Sequence, residues 1–413
     1  MRYTGLKTMV TENLSIEEAR ETILAAVSLL PPETIGLGEA QGRVLAEDVY
    51  AQSDIPAYDN SAMDGYALNS AEITNHGTSL RIAYELPAGA VPHGPCPPGH
   101  AVKIMTGALI PPGTDTVVMR EDTEEYPDSV IIHKVPKRYA NIRFAGEDVK
   151  KGAPVLSRGD YLGPAQIGIL ASLRKPLVLV SQKPLVAILA TGDEIIDLGE
   201  PMEQGKIPSS NSYTLIALVK ESGALPIYLG ISKDEKPDLI EKISRGRRAD
   251  LILTSGGVSM GDYDIVREVL SAPENTLAFW KVNMKPGRPL AFGSLLGIPA
   301  LGLPGNPVST MTSFYQFARP ALLKMMGARS LLLPKINAIL ACPIDGNKGD
   351  RIHYMRGILE RRGAELSVTP TGEQGSGILS SMARGNCFIV LPKGTTHVDQ
   401  GESVECELFS SLF

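Results

Sequence analysis

The sequence predicts a multidomain α/β protein, and three observations carry that expectation. The length of 413 residues exceeds one ordinary core, at a prior of about 150 residues per domain. From residue 184 onward, apolar runs of strand length alternate with segments of helical period, the pattern of a parallel sheet covered on both faces. On either side of this stretch, short apolar or alternating runs are cut by Gly and Pro, 41 and 31 of them in the chain. Such punctuation indicates β-rich units joined by tight turns.

Residues 15–30 open the order of elements. Ile16, Ala19, Ile23, Ala26, Val27 and Leu30 follow a helical period, Ser15 and Glu18 stand at capping-box positions, and Pro31-Pro32 stops the run. Residues 35–174 contain strand-like pieces such as HAVKIMTG, TDTVVMR and SVIIHKV, enough for two β-rich subdomains. Then come a strand at 185–190, a helix at 211–221 with Gly223 beyond it, a strand at 226–231 and a helix at 237–248. A strand at 251–254, a helix at about 263–270, strands at 279–284, 290–294 and 299–303 and a helix at 308–325 complete the unit. From residue 331 the pieces INAILACPI, RIHYMRGILE, ELSVTP, NCFIVLP and SVECELF show no helical period and predict a small all-β domain.

Composition excludes several function classes. A net charge of −6, with Lys and Arg scattered, favours neither nucleic acid nor a membrane surface as partner. The absence of a long apolar run and of a secretory start leads to an expectation of a cytoplasmic protein. Cys96, Cys342, Cys387 and Cys406 are far apart with no C-x-x-C pair, and no two of the six His have metal-ligand spacing, so zinc is not expected.

The chemistry concentrates where the strands of the parallel unit end, the edge at which open α/β sheets bind ligands. Four polar turns fall there: Thr191-Gly192-Asp193-Glu194, Ser232-Lys233-Asp234, Ser255-Gly256-Gly257 and Pro304-Gly305-Asn306-Pro307. Each alone is ordinary turn chemistry; four on one edge indicate a site. In DLILTSGGVSMGDYD, residues 250–264, paired glycines let backbone amides approach a phosphate, and Asp262 and Asp264 add the hard oxygens magnesium prefers. With period two, Lys281, Asn283 and Lys285 share one strand face, either an edge blunted by lysine or an anion clamp. Asp64-Gly65 fits a hairpin turn or a site, Thr106-Gly107 offers a hydroxyl beside open backbone, and Gly146-Glu147-Asp148 fits a solvated turn. Arg356 suits bidentate anion recognition, although arginine is mostly exposed, and Ser376 lies in the polar run TGEQGSG.

Taken together, NSAMDGYA (60–67), KIMTGA (103–108), GEDV (146–149), TGDE (191–194), TSGGVSMGDYD (254–264), FWKVNMKPGRP (279–289), LPGNPVS (303–309) and QGS (374–376) resemble the MoeA family. These are the molybdopterin molybdenumtransferases related to the gephyrin E domain. The resemblance implies an elongated N-terminal region, 1–182, with an inserted β-rich subdomain at about 50–145. It further implies a molybdopterin-binding α/β domain over 183–330 and a C-terminal β-barrel over 331–413. The activity implied is magnesium-dependent insertion of molybdate into adenylated molybdopterin with release of AMP. By resemblance, Asp64, Asp148, Glu194, Asp234, Asp264, Lys281 and Lys285 carry the chemistry. Thr106, Thr191, Gly192, Ser255, Gly256, Gly257, Ser259, Pro304, Asn306, Pro307, Arg356 and Ser376 bind substrate, and Glu194, Asp234, Asp262 and Asp264 place magnesium. The resemblance also implies a homodimer with a shared cleft, with a molybdopterin adenylyltransferase and molybdoenzymes as partners. One departure is Gly377, where the family often has a histidine after QGS. Two alternatives stand beside it. One is molybdopterin adenylyl transfer, whose enzymes show Gly-Gly-Thr-Gly where this chain has Gly256-Gly257-Val258-Ser259; the other is a non-catalytic scaffold.

Overall fold

The structure, a computed structural model, describes residues 11–258, 265–345 and 347–409. Its centre is a seven-stranded mixed sheet. Leu185–Thr191 runs parallel between Leu225–Ser232 and Leu251–Ser255, and Leu251–Ser255 runs parallel to Ile298–Leu303 on its other side. Period two divides these strands between two cores: Val186 and Ile188 face one cluster with Leu215, Phe292 and Phe314, whereas Ala187 and Leu189 face another with Leu239, Ile243 and Val266. Helices Ser210–Glu221 and Pro307–Ser313 cover the first face; Lys236–Arg245 and Ile265–Leu270 cover the second. Burial on both faces explains the continuous apolar runs.

Beyond Ile298–Leu303 the sheet turns antiparallel. Ala291–Leu295 pairs with it through the two-residue turn Leu296-Gly297, both at positive φ, and Thr276–Val282 pairs antiparallel in turn. Thr11–Leu14 closes this edge, parallel to Thr276–Val282. The parallel expectation therefore holds for four strands, and a hairpin extends them.

Ser15 caps the helix Ile16–Ala26 with the expected reciprocal bonds to Glu18. The helix stops before residue 30 because Val27 is extended, and Leu30 N–H instead donates to Met325 O at 2.8 Å. Its apolar face packs on the central domain, and Arg20 Nε donates to Gln316 O at 3.2 Å. That carbonyl is open for a physical reason: Pro320, four residues on, has no N–H to offer it. The helix expected at 308–325 accordingly contains a π-turn, Phe314–Ala318, between Pro307–Ser313 and Arg319–Met325.

The N-terminal region joins Pro32–Gly36 to Leu177–Ser181 and holds a six-stranded sheet within residues 65–132. Gly65 begins a strand of that sheet instead of forming a hairpin turn with Asp64. A Cβ at Gly65 would lie 1.9 Å from Val118 O, so the close approach of Thr116–Met119 requires glycine. The C-terminal domain is a closed five-stranded barrel of Ile352–Arg362, Glu365–Pro370, Lys335–Leu340, Ser403–Leu408 and Cys387–Leu391, the last pairing back on the first. It also contains a short helix, Leu379–Arg384, which six residues give too little periodicity to announce. No helix of the described residues is long and apolar enough to cross a membrane.

Candidate active site

A cleft of about 530 Å³ opens at the carboxyl ends of the four parallel strands. All four polar turns read from the sequence meet there: Thr191, Gly192 and Glu194, then Asp234, then Ser255, Gly256 and Gly257, then Pro304, Asn306 and Pro307. Ser259, Asp262 and Asp264 lie outside the described residues. Gly256 has φ +98°, and a Cβ there would stand 2.6 Å from Thr191 O, so this turn and the neighbouring strand end approach only because position 256 is glycine. Its N–H donates to Leu303 O at 3.0 Å and is therefore not aimed at a ligand. Opposite, the N-terminus of the helical run 307–325 reaches the cleft and presents a positive dipole end.

The cleft contains a member that strand-and-turn reading missed. Asn211, in the first turn of Ser210–Glu221, donates through Nδ2 to Ser255 Oγ at 2.8 Å and to Gly305 O at 2.7 Å, tying two of the turns together. Its Oδ1 and Thr191 Oγ1 are buried without a hydrogen-bond partner among the described residues, which leaves an acceptor and a hydroxyl for a ligand or water. The polar run Ser209-Ser210-Asn211-Ser212 at a helix start was the available signal.

The same cleft carries concentrated negative charge. Asp234 N–H donates to Asp193 Oδ1 at 3.2 Å, and Glu194 lines the wall beside them. Burial first, and then the charges of Asp193 and Glu194, push the Asp234 carboxyl above the ordinary carboxylate range. Among the described residues no three His, Cys, Asp or Glu surround one point. Glu194 and Asp234 nonetheless fit magnesium, which uses one or two carboxylates and completes its shell with water and substrate phosphates.

Cationic groups gather on the barrel side. Met284–Lys285 leaves the central sheet and pairs parallel with the barrel strand at Ile352 and His353. Lys281 has φ +71°, yet burial alternates over residues 281–285: Val282 and Met284 are buried, Asn283 is exposed and Lys281 and Lys285 are intermediate. Arg356 is the largest fully buried side chain among the described residues, contrary to the usual exposure of arginine. Its Nε donates to Ser381 Oγ at 2.9 Å and its Nη2 to Gly375 O at 3.0 Å; Nη1 is buried without a partner among the described residues. Ser376 O accepts from Val308 N–H at 3.1 Å, so the loop that Arg356 holds rests on the helix N-terminus at the cleft. His353, enclosed here, has its pKa lowered to about 4 by burial and then by the positive charges of Lys285, Arg356 and Arg351.

In the N-terminal region, Asp64 and Thr106 come together. Asp64 Oδ1 accepts from Thr106 Oγ1 and from Thr106 N–H, both at 2.7 Å, which holds the exposed carboxyl below its usual range. Asp148 is exposed nearby in sequence space of the Ile142–Arg143 strand, which pairs with Asn60–Ser61. None of these three lines the cleft.

Three family descriptions match the chain in order: MoeA N-terminal region (domain I and II) at 14–173, a probable molybdopterin binding domain at 187–324, and MoeA C-terminal region (domain IV) at 337–409. A molybdopterin molybdenumtransferase from Haemophilus influenzae is 36% identical over 405 residues, covering 97% of this chain and 99% of the relative. The chain belongs to the MoeA family. A second molybdopterin molybdenumtransferase, from Nostoc, is 38% identical over 387 residues, covering 90% of this chain and 87% of its own. The crystal structure of a molybdopterin biosynthesis MoeA protein from Pyrococcus horikoshii superposes with a TM-score of 0.82 at 31% identity, covering 96% of this chain and 100% of that one. The MoeA fold thus accounts for the three-part architecture, and within it the four turns form the cleft while Lys281, Lys285, Arg356, Ser376, Asp64, Thr106 and Asp148 stand outside its lining.

Proposed function

We propose that this protein inserts molybdate into adenylated molybdopterin in a magnesium-dependent reaction, releasing AMP and the finished molybdenum cofactor. As a MoeA member it is a transferase of molybdenum cofactor biosynthesis. The observation that carries the fuller reading is the meeting of all four polar turns in one cleft with two carboxylates, Glu194 and Asp234, in its wall, while Lys285, Arg351 and Arg356 gather outside that lining on the barrel side. The adenylate phosphates fit the Thr191 hydroxyl, which has no partner among the described residues, with Gly257 of the turn and the dipole end of the helical run at Asn306-Pro307 beside it. Magnesium, held by Glu194 and Asp234, would neutralise charge on the phosphoanhydride. Lys281, Lys285 and the free donor of Arg356 fit the incoming oxyanion, and Ser376 lies on the loop that Arg356 fixes. These residues orient the two substrates against each other.

The exposed Asp64–Thr106 pair has a use if a second copy completes the cleft, and a homodimer is part of this reading. Large apolar side chains exposed in the same N-terminal region, Tyr58, Met63, Tyr139 and Phe144, support a covered surface. A cytoplasmic location, beside a molybdopterin adenylyltransferase and the recipient molybdoenzymes, follows from the same chemistry. The test supplies adenylated molybdopterin, molybdate and magnesium and measures AMP. Release above the buffer rate that depends on all three is expected; release at the buffer rate would refute the function, and a monomer by light scattering would refute the shared cleft.

A further inference from the structure

Lys281 is held on an aromatic seat. Its ammonium lies 3.5 Å from the centroid of the Trp280 ring and 3.6 Å from the Glu12 carboxylate, with the lysine side chain only 11% exposed. The Arg267 guanidinium carbon lies 3.7 Å from the same centroid. Two cations that close to one centroid would nearly coincide on a single face, so they occupy opposite faces. The indole N–H donates to Val258 O at 3.3 Å, directly after the Ser255-Gly256-Gly257 turn. Trp280 therefore joins the lysine, the helix Ile265–Leu270 and the turn of the cleft. The left-handed backbone at Lys281 folds the side chain onto the neighbouring ring, a conformation uncommon for a residue with a Cβ. Lys281 N–H donates to Leu290 O at 2.9 Å, one residue from Pro289 in the cleft wall, so the backbone that carries the lysine adjoins the cleft.

We propose that Trp280 and Glu12 are positioning residues that hold Lys281 in a resting place, from which a tetrahedral oxyanion entering the cleft withdraws it. A cation–π contact and a half-exposed ion pair are each weak enough for a desolvated anion to outcompete. Because the resting contacts are lost on binding, they lower the apparent affinity for the anion, and weakening them must raise it. The inference rests on Lys281 acting as an oxyanion ligand, as proposed above.

Trp280 is the only tryptophan of the chain, so its emission reports the departure of the lysine. The full-length protein is titrated with sodium molybdate, following tryptophan emission and, in parallel, heat of binding. Expected is a saturable emission change in the wild type that Lys281→Met abolishes. Trp280→Leu and the surface variant Glu12→Gln should each bind molybdate about three-fold more tightly by calorimetry, as loss of a weak competing contact requires. General damage to the site would weaken binding instead, and Glu12→Gln keeps the core intact should Trp280→Leu not fold. An emission change that persists in Lys281→Met, binding with no emission change, unchanged or weaker binding in Glu12→Gln, or no molybdate binding would each overturn the proposal. AMP release is not read in this titration, so failure of the proposed reaction and failure of the parked lysine are separate results.

Discussion

His353→Asn removes a buried imidazole from the cationic corner between the barrel and the central domain while keeping a donor where Nδ1 meets Asn347 Oδ1 at 3.1 Å. In the folded protein the imidazole pKa falls to about 4 from an ordinary 6.5, chiefly through burial and then through Lys285, Arg356 and Arg351. Between those two values the unfolded chain binds a proton that the folded chain refuses. Stability due to this group is therefore complete above about pH 6.5 and is lost as pH falls through about 4. At about 1.4 kcal/mol per pKa unit, the loss amounts to about 3 kcal/mol. Glu407 titrates in the opposite sense, because burial raises its carboxyl, but it does so equally in both proteins. The measurement is the urea midpoint of wild type and His353→Asn at intervals from pH 7 down to about 4. The wild type should lose about 3 kcal/mol more than the variant across that range, whatever pH-independent cost the smaller side chain adds. Parallel curves would show that His353 is protonated as freely inside the protein as outside it, and the account of the corner would fail.

Gly256→Ala should destabilise the central domain by about 1–3 kcal/mol, since the new methyl meets Thr191 O at 2.6 Å on a backbone with φ +98°, and thermal unfolding would read it. Asn211→Ala removes two bonds that tie the Ser255 and Gly305 turns; at about 1 kcal/mol each, AMP affinity measured by calorimetry should fall about ten-fold or more. Asp234→Asn should shift the magnesium dependence of AMP release to higher concentration, and an unchanged magnesium curve would remove Asp234 from the metal site. Thr106→Val deletes the hydroxyl that contributes most to holding the Asp64 carboxyl low, so its titration, followed by carboxyl NMR, should move upward in pH.

Much of the sheet edge was legible because its signals are local. Leu185–Thr191 and Leu251–Ser255 are apolar runs that stop at Gly-rich turns, and right-handed alternation with helices is enough to place those turns side by side. What could not be read locally depends on partners distant in sequence. Period two places Lys281 with Lys285, but it gives no sign of the bulge in the hairpin register between Thr276–Val282 and Ala291–Leu295 or of the left-handed backbone at Lys281. Arg356 is unremarkable in its strand; only closure of the barrel and the loop at residues 373–376 bury it. Asn211 reads as an ordinary helix start until the Gly305 turn, far along the chain, arrives to accept its amide.

The two-residue strand Met284–Lys285 has a consequence for modularity. It is part of the central domain by chain connection but completes the barrel sheet by hydrogen bonding. Cutting the chain between the two units would leave it as an exposed edge with unsatisfied amides. A chimera that exchanges barrels between family members must therefore match the pairing of positions 284 and 285 with 352 and 353, or the graft will seat with its loop at residues 373–376 displaced from the helix it caps. The seam between these two units is a register, and inheritance of either half constrains the other.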